Sequence, residues 1–514
     1  MTGIEPASPA WEAGALPLDD TRQLLRTFLT GNDSTTAEPS TSPLVGSQLY
    51  GRYPIGQKAR TLGPAPLLKW RSNVDYYLMK DLIGALLFSL ALAFLAFLAG
   101  TAVAIFQVYP YQPLRAAYQS AYEILSGRGT AVSVNEMHQL YPARYTEAGV
   151  SIFDSDRAQP GVTLITGYWT KGEKWQPAVR LIDMQGNVLH EWIVQPDLIW
   201  PESPFSDHVA GQMNKPNNYV HGAWLLEGGD IVFNVEYAGL VRMNACGEVV
   251  WTVPYRTHHS VFRDDEGSFW ASGLNWRYEN IDRYVHPQPD FVDETALKIS
   301  PDGEIMREIF ILESIYQSGY GDLVATGQKK LDITHLNDVE ILSASMADSF
   351  PTFEEGDILV SLRNLSTVLV IDGETELIKW HLRHPLIRQH DPDFEADGSI
   401  VIFNNNDDMT QQGMRLGPTK LVRINPVTND WTTVYPLTDE QAFYTQTGGK
   451  HQLLANGNRL ITEAHGGRVF EVDMQGNTVW NWVVETRGDG LVPEILEGTR
   501  YPAYFADFQK NLCN

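Results

Sequence analysis

One phrase occurs six times in the C-terminal two-thirds of the chain, and this repetition limits the fold more than any other feature. Each copy is a strand that runs into a polar tight turn, followed by a strand with a bulky residue. The copies are LIDMQGNVLHEW from Leu181, RMNACGEVVW from Arg242, KISPDGEIMREI from Lys298, VIDGETELIKW from Val370, RINPVTNDW from Arg423 and EVDMQGNTVWNW from Glu471. Five of the six have glycine at the turn, which is typical of an antiparallel hairpin.

A second phrase precedes each of the last five copies: an acidic residue or Asn, then Gly, then a β-rich run. It reads EGGDIVFN, DEGSFWAS, EEGDILVS, ADGSIVIFN and ANGNRLIT. Two hairpins per unit give a four-stranded sheet, and a repeat of roughly 35–55 residues matches one propeller blade. A β-sandwich would not repeat one phrase six times, and a TIM barrel would need intervening helices. The sequence therefore predicts an all-β fold, a six-bladed β-propeller.

An uncharged stretch precedes the repeats. No Asp, Glu, Lys or Arg occurs from Leu82 to Leu114, and the part up to Phe106 is almost entirely apolar. About 20 apolar residues cross the hydrocarbon core of a bilayer, so we predict a single transmembrane α-helix over 78–108. The segment lies too far from the N-terminus for an ordinary cleavable signal and acts instead as a signal anchor. Lys and Arg are denser before it than after it, which predicts a cytoplasmic N-terminus and a periplasmic or other extracytoplasmic C-terminal part.

The remaining segments complete the predicted organisation. Residues 1–75 are rich in Pro, Gly, Ser and Thr and are expected to form a mostly disordered cytoplasmic arm. A juxtamembrane segment, 109–158, contains a predicted helix at Leu114–Leu125, and the propeller is expected over 159–514. Residues 1–110 offer a surface for a partner in a membrane complex.

Charge and cysteine content exclude several classes of protein. The net charge of −25 argues against nucleic-acid binding, which needs a basic face. The two cysteines, Cys246 and Cys513, exclude a disulfide framework and a Cys-rich zinc site, and leave one bridge open. An anionic substrate would be repelled at long range, so an anion site must depend on a local cluster of donors.

Histidine recurs at the predicted start of the inner strand in five units, where a propeller brings residues to one mouth of its channel. These residues are His221, His258 or His259, His335, His390 and His451. His259 and His390 each precede the next turn glycine by eight residues, which favours His259 over His258 as the inward-facing residue. The other seven histidines show no such alignment and are assigned to structural or solvated positions.

Such a ring of imidazoles supports two kinds of chemistry: attack on an electrophile, or ligation of copper or zinc. Arg363, on the strand after His335, favours the first. A guanidinium is a poor neighbour for a divalent metal, but its planar fork suits sulfate or phosphate oxygens. The prediction from the residues is an oxyanion site, with neither metal nor cofactor.

Four stretches resemble the arylsulfate sulfotransferases, a bacterial family of six-bladed propellers that do not use the nucleotide sulfate donor. They are THLNDVEIL from Thr334, SLRNLSTVLVID from Ser361, RQHDPDFEADGSIVIFNN from Arg388 and LLANGNRLITEAHGGRVFEVDMQGNTVWNW from Leu453. The resemblance covers most of residues 160–485. It implies an aryl sulfate donor and a phenolic acceptor.

The resemblance also implies roles for individual residues. His390 is similar to the family's nucleophile, which becomes a sulfohistidine. His335, Asn337 and Arg363 are similar to the groups that bind the sulfate oxygens, and His259 to a further active-site histidine, with His258 as its alternative. His221 and His451 are expected to contribute to substrate binding.

This chain departs from the family pattern in two ways. After the strand that begins at His390 it has Phe403 and then three asparagines where the family tends to have Asp-Asn-Gly. It also has a long arm and a retained anchor where secreted members carry a cleaved signal. Two alternatives to a sulfotransferase stay open: a non-catalytic extracytoplasmic scaffold subunit of a membrane complex, and a metal oxidoreductase that uses the same histidines.

Overall fold

The computed structural model describes residues 71–106, 139–171, 174–202, 204–205, 219–409, 414–486 and 490–511. The chain divides into two compact units, Met1–Ala117 and Tyr118–Asn514. The predicted helix at Leu114–Leu125 and most of the predicted arm lie outside the described residues.

The described part of the first unit is one α-helix, Arg71–Phe106, of 36 residues. Its segment Lys80–Leu98 is long and apolar enough to cross a membrane, and none of that segment is buried against protein. At 1.5 Å per residue, 19 residues extend about 28 Å, close to the thickness of the hydrocarbon core. A candidate transmembrane helix is therefore present where the sequence predicted one.

The second unit is a six-bladed β-propeller, as the repeats predicted. Each blade is an antiparallel sheet of four strands, ordered from the inner strand outward. Blade 1 consists of Glu497–Tyr501, Val162–Lys171, Lys174–Ile182 and Val188–Ile193; blade 2 of Val220–Leu225, Ile231–Val235, Gly239–Met243 and Val249–Val253; blade 3 of Arg256–Arg263, Phe269–Arg277, Phe291–Ile299 and Ile305–Phe310. Blade 4 consists of Leu336–Ile341, Ile358–Leu362, Thr367–Ile371 and Ile378–Leu382; blade 5 of His390–Phe394, Ile400–Asn404, Lys420–Ile424 and Trp431–Tyr435; blade 6 of Lys450–Leu453, Arg459–Glu463, Arg468–Val472 and Thr478–Val483.

The two ends of the propeller sequence meet in blade 1. Its inner strand, Glu497–Tyr501, is the last strand of the chain and pairs with Val162–Lys171. This explains why the second phrase occurs five times and not six: the inner hairpin of blade 1 joins two distant segments and has no continuous turn. Gly149–Phe153 adds a fifth strand to the outside of blade 6, and Leu140–Pro142 pairs with Leu491–Pro493.

The core lies between neighbouring blades. Six clusters of buried apolar side chains fill the interfaces between blades 1 and 2, 2 and 3, 3 and 4, 4 and 5, 5 and 6, and 6 and 1. Because each sheet is apolar on both faces, every blade needs a neighbour on each side, and only a closed ring provides one. Closure leaves the innermost side chains free to be polar.

Short helices and 3₁₀ segments lie between blades, between strands of one blade and after the last strand. The helices are Pro196–Ile199, Ile311–Gln317, Asp322–Ala325 and Ala344–Ala347; the 3₁₀ segments are Arg363–Leu365, Asp439–Gln441, Ala464–Gly466 and Ala503–Asn511. A two-residue strand, Leu331–Asp332, runs parallel to Phe291–Ile299 of blade 3. Cys246 is disulfide-bonded, and Cys513 lies outside the described residues.

Candidate functional site

The inner strands of blades 2 to 5 each contain a β-bulge close to their start. The register shifts between Val220 and Ala223, His258 and Val261, Leu336 and Asp338, and His390 and Pro392. Bulges turn side chains away from the regular alternation of a strand and are frequent beside active sites. His259, His335 and Asp391 adopt left-handed backbone conformations there, with φ of 59°, 53° and 47°. Such conformations disfavour residues with a Cβ, so the fold maintains strain at this mouth of the channel.

The bulges bring four of the predicted histidines around His259. The His259 ring centroid lies 4.2 Å from that of His221, 5.0 Å from His258, 4.9 Å from His335 and 6.3 Å from His390. These residues come from blades 2, 3 and 5 and from the residue preceding the inner strand of blade 4. The ring of blades therefore assembles a compact imidazole cluster from residues far apart in sequence.

His259 lies at the centre of the imidazole cluster because of a β-bulge, and not because of its eight-residue distance from the next turn glycine. The bulge in blade 3 has two extra residues, His259 and Ser260, whereas the bulge in blade 5 has one, Asp391. In strand register His390 therefore corresponds to His258, and the shared eight-residue offset does not reflect equivalent pairing. The left-handed bulge residue turns the His259 ring to the axis, while His258 stays behind it with the two Nδ1 atoms 2.7 Å apart.

Carboxylates orient two of the imidazoles, His221 and His335, and a third carboxyl lies near His258. His221 Nδ1 lies 2.9 Å from Glu236 Oε2, whereas His258 Nε2 lies 3.6 Å from Glu294 Oε1, which is too long for a hydrogen bond. The closest pair joins His335 Nδ1 to Asp332 Oδ2. A carboxylate at one ring nitrogen fixes the tautomer and directs the other nitrogen toward the site.

Arg363 begins a 3₁₀ segment that returns the chain to the cluster, and its backbone N–H donates to the His335 carbonyl oxygen at 3.0 Å. Burial opposes ionisation of the Asp332 carboxyl, but His335 and the Arg363 guanidinium lower its pKa to about 2. Burial, and then Arg363, lowers the pKa of the His335 imidazole. The guanidinium therefore acts electrostatically on the predicted oxyanion site.

His390 is oriented by Asn405, which reaches it from the end of the second strand of blade 5. His390 Nδ1 lies 2.7 Å from Asn405 Oδ1. The Asn405 amide nitrogen donates to the carbonyl oxygens of Thr445 (3.1 Å) and Gly448 (2.7 Å), which sets the direction of the amide. Nδ1 must then carry the hydrogen, and Nε2 carries the lone pair and accepts a long contact from the Gly448 N–H at 3.3 Å.

The environment of His390 keeps it neutral. Burial, followed by the positive Arg363, lowers the pKa of His390 well below its usual range. Burial and the surrounding imidazoles lower the pKa of His259 in the same way. A neutral, buried imidazole with a defined lone pair is the form required of a nitrogen nucleophile.

A pocket at the axis connects these groups, and His221, His259, Asn337 and His390 are part of its wall. The Asn337 amide nitrogen donates to the Gln389 carbonyl oxygen at 2.8 Å, and its buried Oδ1 has no hydrogen-bond partner among the described residues. Asn337 thus lies at the same pocket as His221, His259 and His390.

The structure does not bring His451 into the cluster. This side chain is fully buried, with its Nδ1 3.2 Å from Asp393 Oδ2 and its Nε2 3.2 Å from the Val401 carbonyl oxygen. The residue before it, Lys450, lines the axial pocket instead, and its Nζ pairs with Glu497 at 3.1 Å. The inner strand of blade 6 has no register shift, so its side chains alternate regularly and successive residues face opposite sides.

Carboxylates continue from the histidines along the inner strands. Asp338 and Glu340 lie on the inner strand of blade 4, and Asp391 and Asp393 lie on the inner strand of blade 5, with Glu395 directly after it. Burial, and then repulsion between neighbouring carboxylates, raises the pKa of Asp391 and Asp393 well above its usual range. We call these five acidic residues the acidic column. It was not predicted from the sequence, although LNDVE and HDPDFE have an acidic residue at every second position.

Other site residues had no such signal. Glu236 follows the second strand of blade 2, Asp332 belongs to a two-residue strand, and Asn405 lies in a run of similar asparagines. Only the tertiary structure identifies which of these side chains faces a histidine.

A family model described as Arylsulfotransferase (ASST) matches residues 222–485 of the chain. No curated protein sequence matches this chain. The chain is similar to a solved protein of unknown function from Bacteroides caccae, with 14% identity over 63% of this chain and 93% of that chain and a TM-score of 0.38. It is also similar to a catalytically inactive virginiamycin B lyase from Staphylococcus aureus, with 11% identity over 66% of this chain and 89% of that chain and a TM-score of 0.35. These two likenesses support no functional conclusion.

Proposed function

This chain belongs to the arylsulfotransferase family, and on that premise we propose that it moves a sulfuryl group from an aryl sulfate to a phenolic acceptor through a sulfohistidine at His390. The observation that carries the proposal is the pairing of His390 Nδ1 with Asn405 at 2.7 Å, which leaves the lone pair on Nε2, where its one contact is the long one from the Gly448 N–H at 3.3 Å. An N-terminal anchor formed by Arg71–Phe106 would hold the propeller, residues 159–514 with the preceding strands, on the extracytoplasmic side.

In the first half-reaction, His390 Nε2 attacks sulfur while the bond between sulfur and the aryl oxygen breaks. The leaving phenolate takes a proton from His335, whose other nitrogen is paired with Asp332. In the free protein, burial and Arg363 oppose protonation of His335 and so lower its pKa. The negative charge of a bound sulfate ester acts in the opposite direction, so substrate binding itself favours the proton donor.

In the second half-reaction, the acceptor phenol attacks the sulfur of sulfohistidine and gives its proton to His335. His390 is released, and both residues return to their starting forms. Asn405 is a neutral acceptor, so the sulfohistidine keeps its Nδ1 hydrogen and its positive ring. Because a positively charged ring is a better leaving group than a neutral one, the intermediate is primed for transfer.

The sulfate oxygens would be held by the Arg363 guanidinium and by groups of the pocket wall: the Asn337 amide nitrogen, the His259 imidazole and, when it is protonated, the His221 imidazole. His258 supports His259 from behind through the short Nδ1 contact. Preorganised donors stabilise the charge that develops on these oxygens, typically by several kcal/mol.

The test uses the full-length chain in detergent with 4-nitrophenyl sulfate as donor and phenol as acceptor. His390→Asn is expected to abolish turnover, and digestion of the wild type after incubation with donor alone should yield a sulfated His390 peptide. His384→Asn, at an exposed histidine, is the matched control. Undiminished turnover by His390→Asn would exclude His390 as the nucleophile.

One observation favours a second candidate, a metal-dependent oxidoreductase. Single ligand atoms of His221, Glu236 and His259 lie within 4.8 Å of one another. The nearby Arg363 guanidinium and the existing contact between His221 and Glu236 favour the oxyanion site instead. Metal-dependent oxidation that is lost in Glu236→Gln, in a chain without sulfuryl transfer, would support the second candidate.

A further inference from the structure

The contact between His451 and Asp393 is chemically incomplete. His451 Nε2 lies 3.2 Å from the Val401 carbonyl oxygen, which can only accept, so Nε2 carries the hydrogen. The other nitrogen, Nδ1, then carries a lone pair, and it lies 3.2 Å from Asp393 Oδ2. Among the described residues this fully buried Nδ1 has no hydrogen-bond partner. Two lone pairs facing each other repel unless a proton or a cation lies between them.

The cationic side chains of the blade 6 strands are paired with carboxylates other than Asp391 and Asp393. Lys450 is held by Glu497, with both carboxylate oxygens 3.1 Å from its Nζ. Arg459 is held by Glu395 at 2.6 Å. In the described part of the chain, no lysine or arginine forms an ion pair with Asp391 or Asp393. The oxygens of these two carboxyl groups are therefore available to share either a proton or a cation, because a bare negative charge in a buried channel is costly.

The geometry supplies a third donor. Single ligand atoms of Asp391, Asp393 and His451 lie within 4.8 Å of one another, and Asp391 also accepts the backbone N–H of His451. One imidazole and two carboxylates suit Zn²⁺ or a similar divalent transition metal. Metal-bound histidines usually donate their second ring hydrogen to a carbonyl or a carboxylate, as His451 does to Val401.

We propose that Asp391, Asp393 and His451 form a divalent metal site in the channel of the propeller, separate from the imidazole cluster. The ion would connect blade 5, which contributes both carboxylates, to blade 6, which contributes the histidine. It would also occupy the space between the Asp393 carboxyl oxygen and the His451 Nδ1 lone pair. The role of such a site is to lock two neighbouring blades together beside His390.

The experiment measures Zn²⁺ binding to the full-length chain in detergent, after removal of bound metal with a chelator, by isothermal titration calorimetry and thermal unfolding. We expect one equivalent of Zn²⁺ to bind and to raise the melting temperature. His451→Gln and Asp393→Asn should weaken binding at least tenfold and remove the thermal shift. His384→Gln, at an exposed histidine, should behave as the wild type.

Two outcomes would overturn the proposal. The first is the absence of stoichiometric binding and of any thermal shift in the wild type, which would mean that Asp393 and His451 share a proton. The second is loss of Zn²⁺ binding in Glu236→Gln with retention in Asp393→Asn, which would locate the metal in the imidazole cluster. The wild-type thermal shift needs no variant and so does not depend on whether a variant folds. None of these measurements depends on sulfuryl transfer. A failure to bind Zn²⁺ would therefore not contradict the proposed transferase function, and a lack of transferase activity would not contradict the metal site.

Discussion

Asn405 and His390 are joined by a hydrogen bond of 2.7 Å that decides which nitrogen of the imidazole carries the hydrogen and which carries the lone pair. The amide cannot rotate without losing its bonds to the carbonyl oxygens of Thr445 and Gly448. Because the amide oxygen can only accept, the hydrogen stays on His390 Nδ1. The chemistry proposed for His390 thus depends on a residue from another strand that need not touch the substrate.

Asn405→Ala should lower kcat by about 10–100-fold, because the ring then samples the wrong tautomer and orientation. KM for the donor should change little, since the groups proposed to hold the sulfate oxygens remain. Steady-state kinetics on the full-length chain measures both values. Asn404→Ala is the control: the Asn404 amide oxygen accepts the Ile387 backbone N–H at 2.7 Å, so its loss should lower stability and leave kcat unchanged. Equal effects of the two variants on kcat would contradict a positioning role.

Arg363→Lys keeps the positive charge but removes the planar fork. Transition-state stabilisation by paired hydrogen bonds should be lost, with kcat/KM falling by about 10²–10³-fold and the melting temperature almost unchanged. Arg383→Lys, at an exposed arginine, is the matched control. Near wild-type kcat/KM in Arg363→Lys would mean that charge alone is sufficient at this position.

The lowered pKa of Asp332 predicts how the stability of the propeller depends on pH. Its carboxyl has an ordinary pKa of 3.8 and a folded-state pKa of about 2, since His335 and Arg363 favour the anion despite burial. A lowered folded-state pKa contributes stability that is present above 3.8 and is lost as the pH falls toward 2. This contribution amounts to about 2 kcal/mol.

Asp332→Asn should therefore be less stable than the wild type at pH 5, and the difference in the free energy of unfolding should shrink by about half at pH 3. Chemical denaturation of the propeller at a series of pH values measures it. Asp302→Asn, in an exposed turn, should show no comparable pH dependence. A difference that stays constant from pH 5 to pH 3 would show that Asp332 is not stabilised as an anion.

Gly449 tests the packing between blades 5 and 6. Its φ is +101°, and a Cβ added there would lie 2.4 Å from two ring atoms of the fully buried Phe403. Gly449→Ala should destabilise the propeller by about 2–4 kcal/mol, from strain and overlap together. Gly228 has a similar φ of +95° and open space around it, so Gly228→Ala isolates the strain, at about 1 kcal/mol. Equal losses in both variants would show that Phe403 moves aside freely.

The sequence by itself determined the blade count, the candidate membrane helix and most of the histidine cluster. Hairpin turns are local and recur with a fixed phrase, so six copies from Leu181 to Glu471 were enough to predict six blades. Helix length and apolarity are likewise local properties, and they identified the stretch that the helix Arg71–Phe106 contains. His221, His335 and His390 were identified because the start of an inner strand always lies near the axis.

Only the tertiary structure decided the facing of individual side chains. A bulge of two residues in blade 3 and one in blade 5 shifted His259 against His390, and a regular strand in blade 6 placed His451 away from the cluster beside Asp393. The inner strand of blade 1, Glu497–Tyr501, could likewise not be predicted, because it is not part of a repeated phrase. Bulges and ring closure depend on contacts between strands, some of them distant in sequence. Such contacts produce no local periodicity from which they could be predicted.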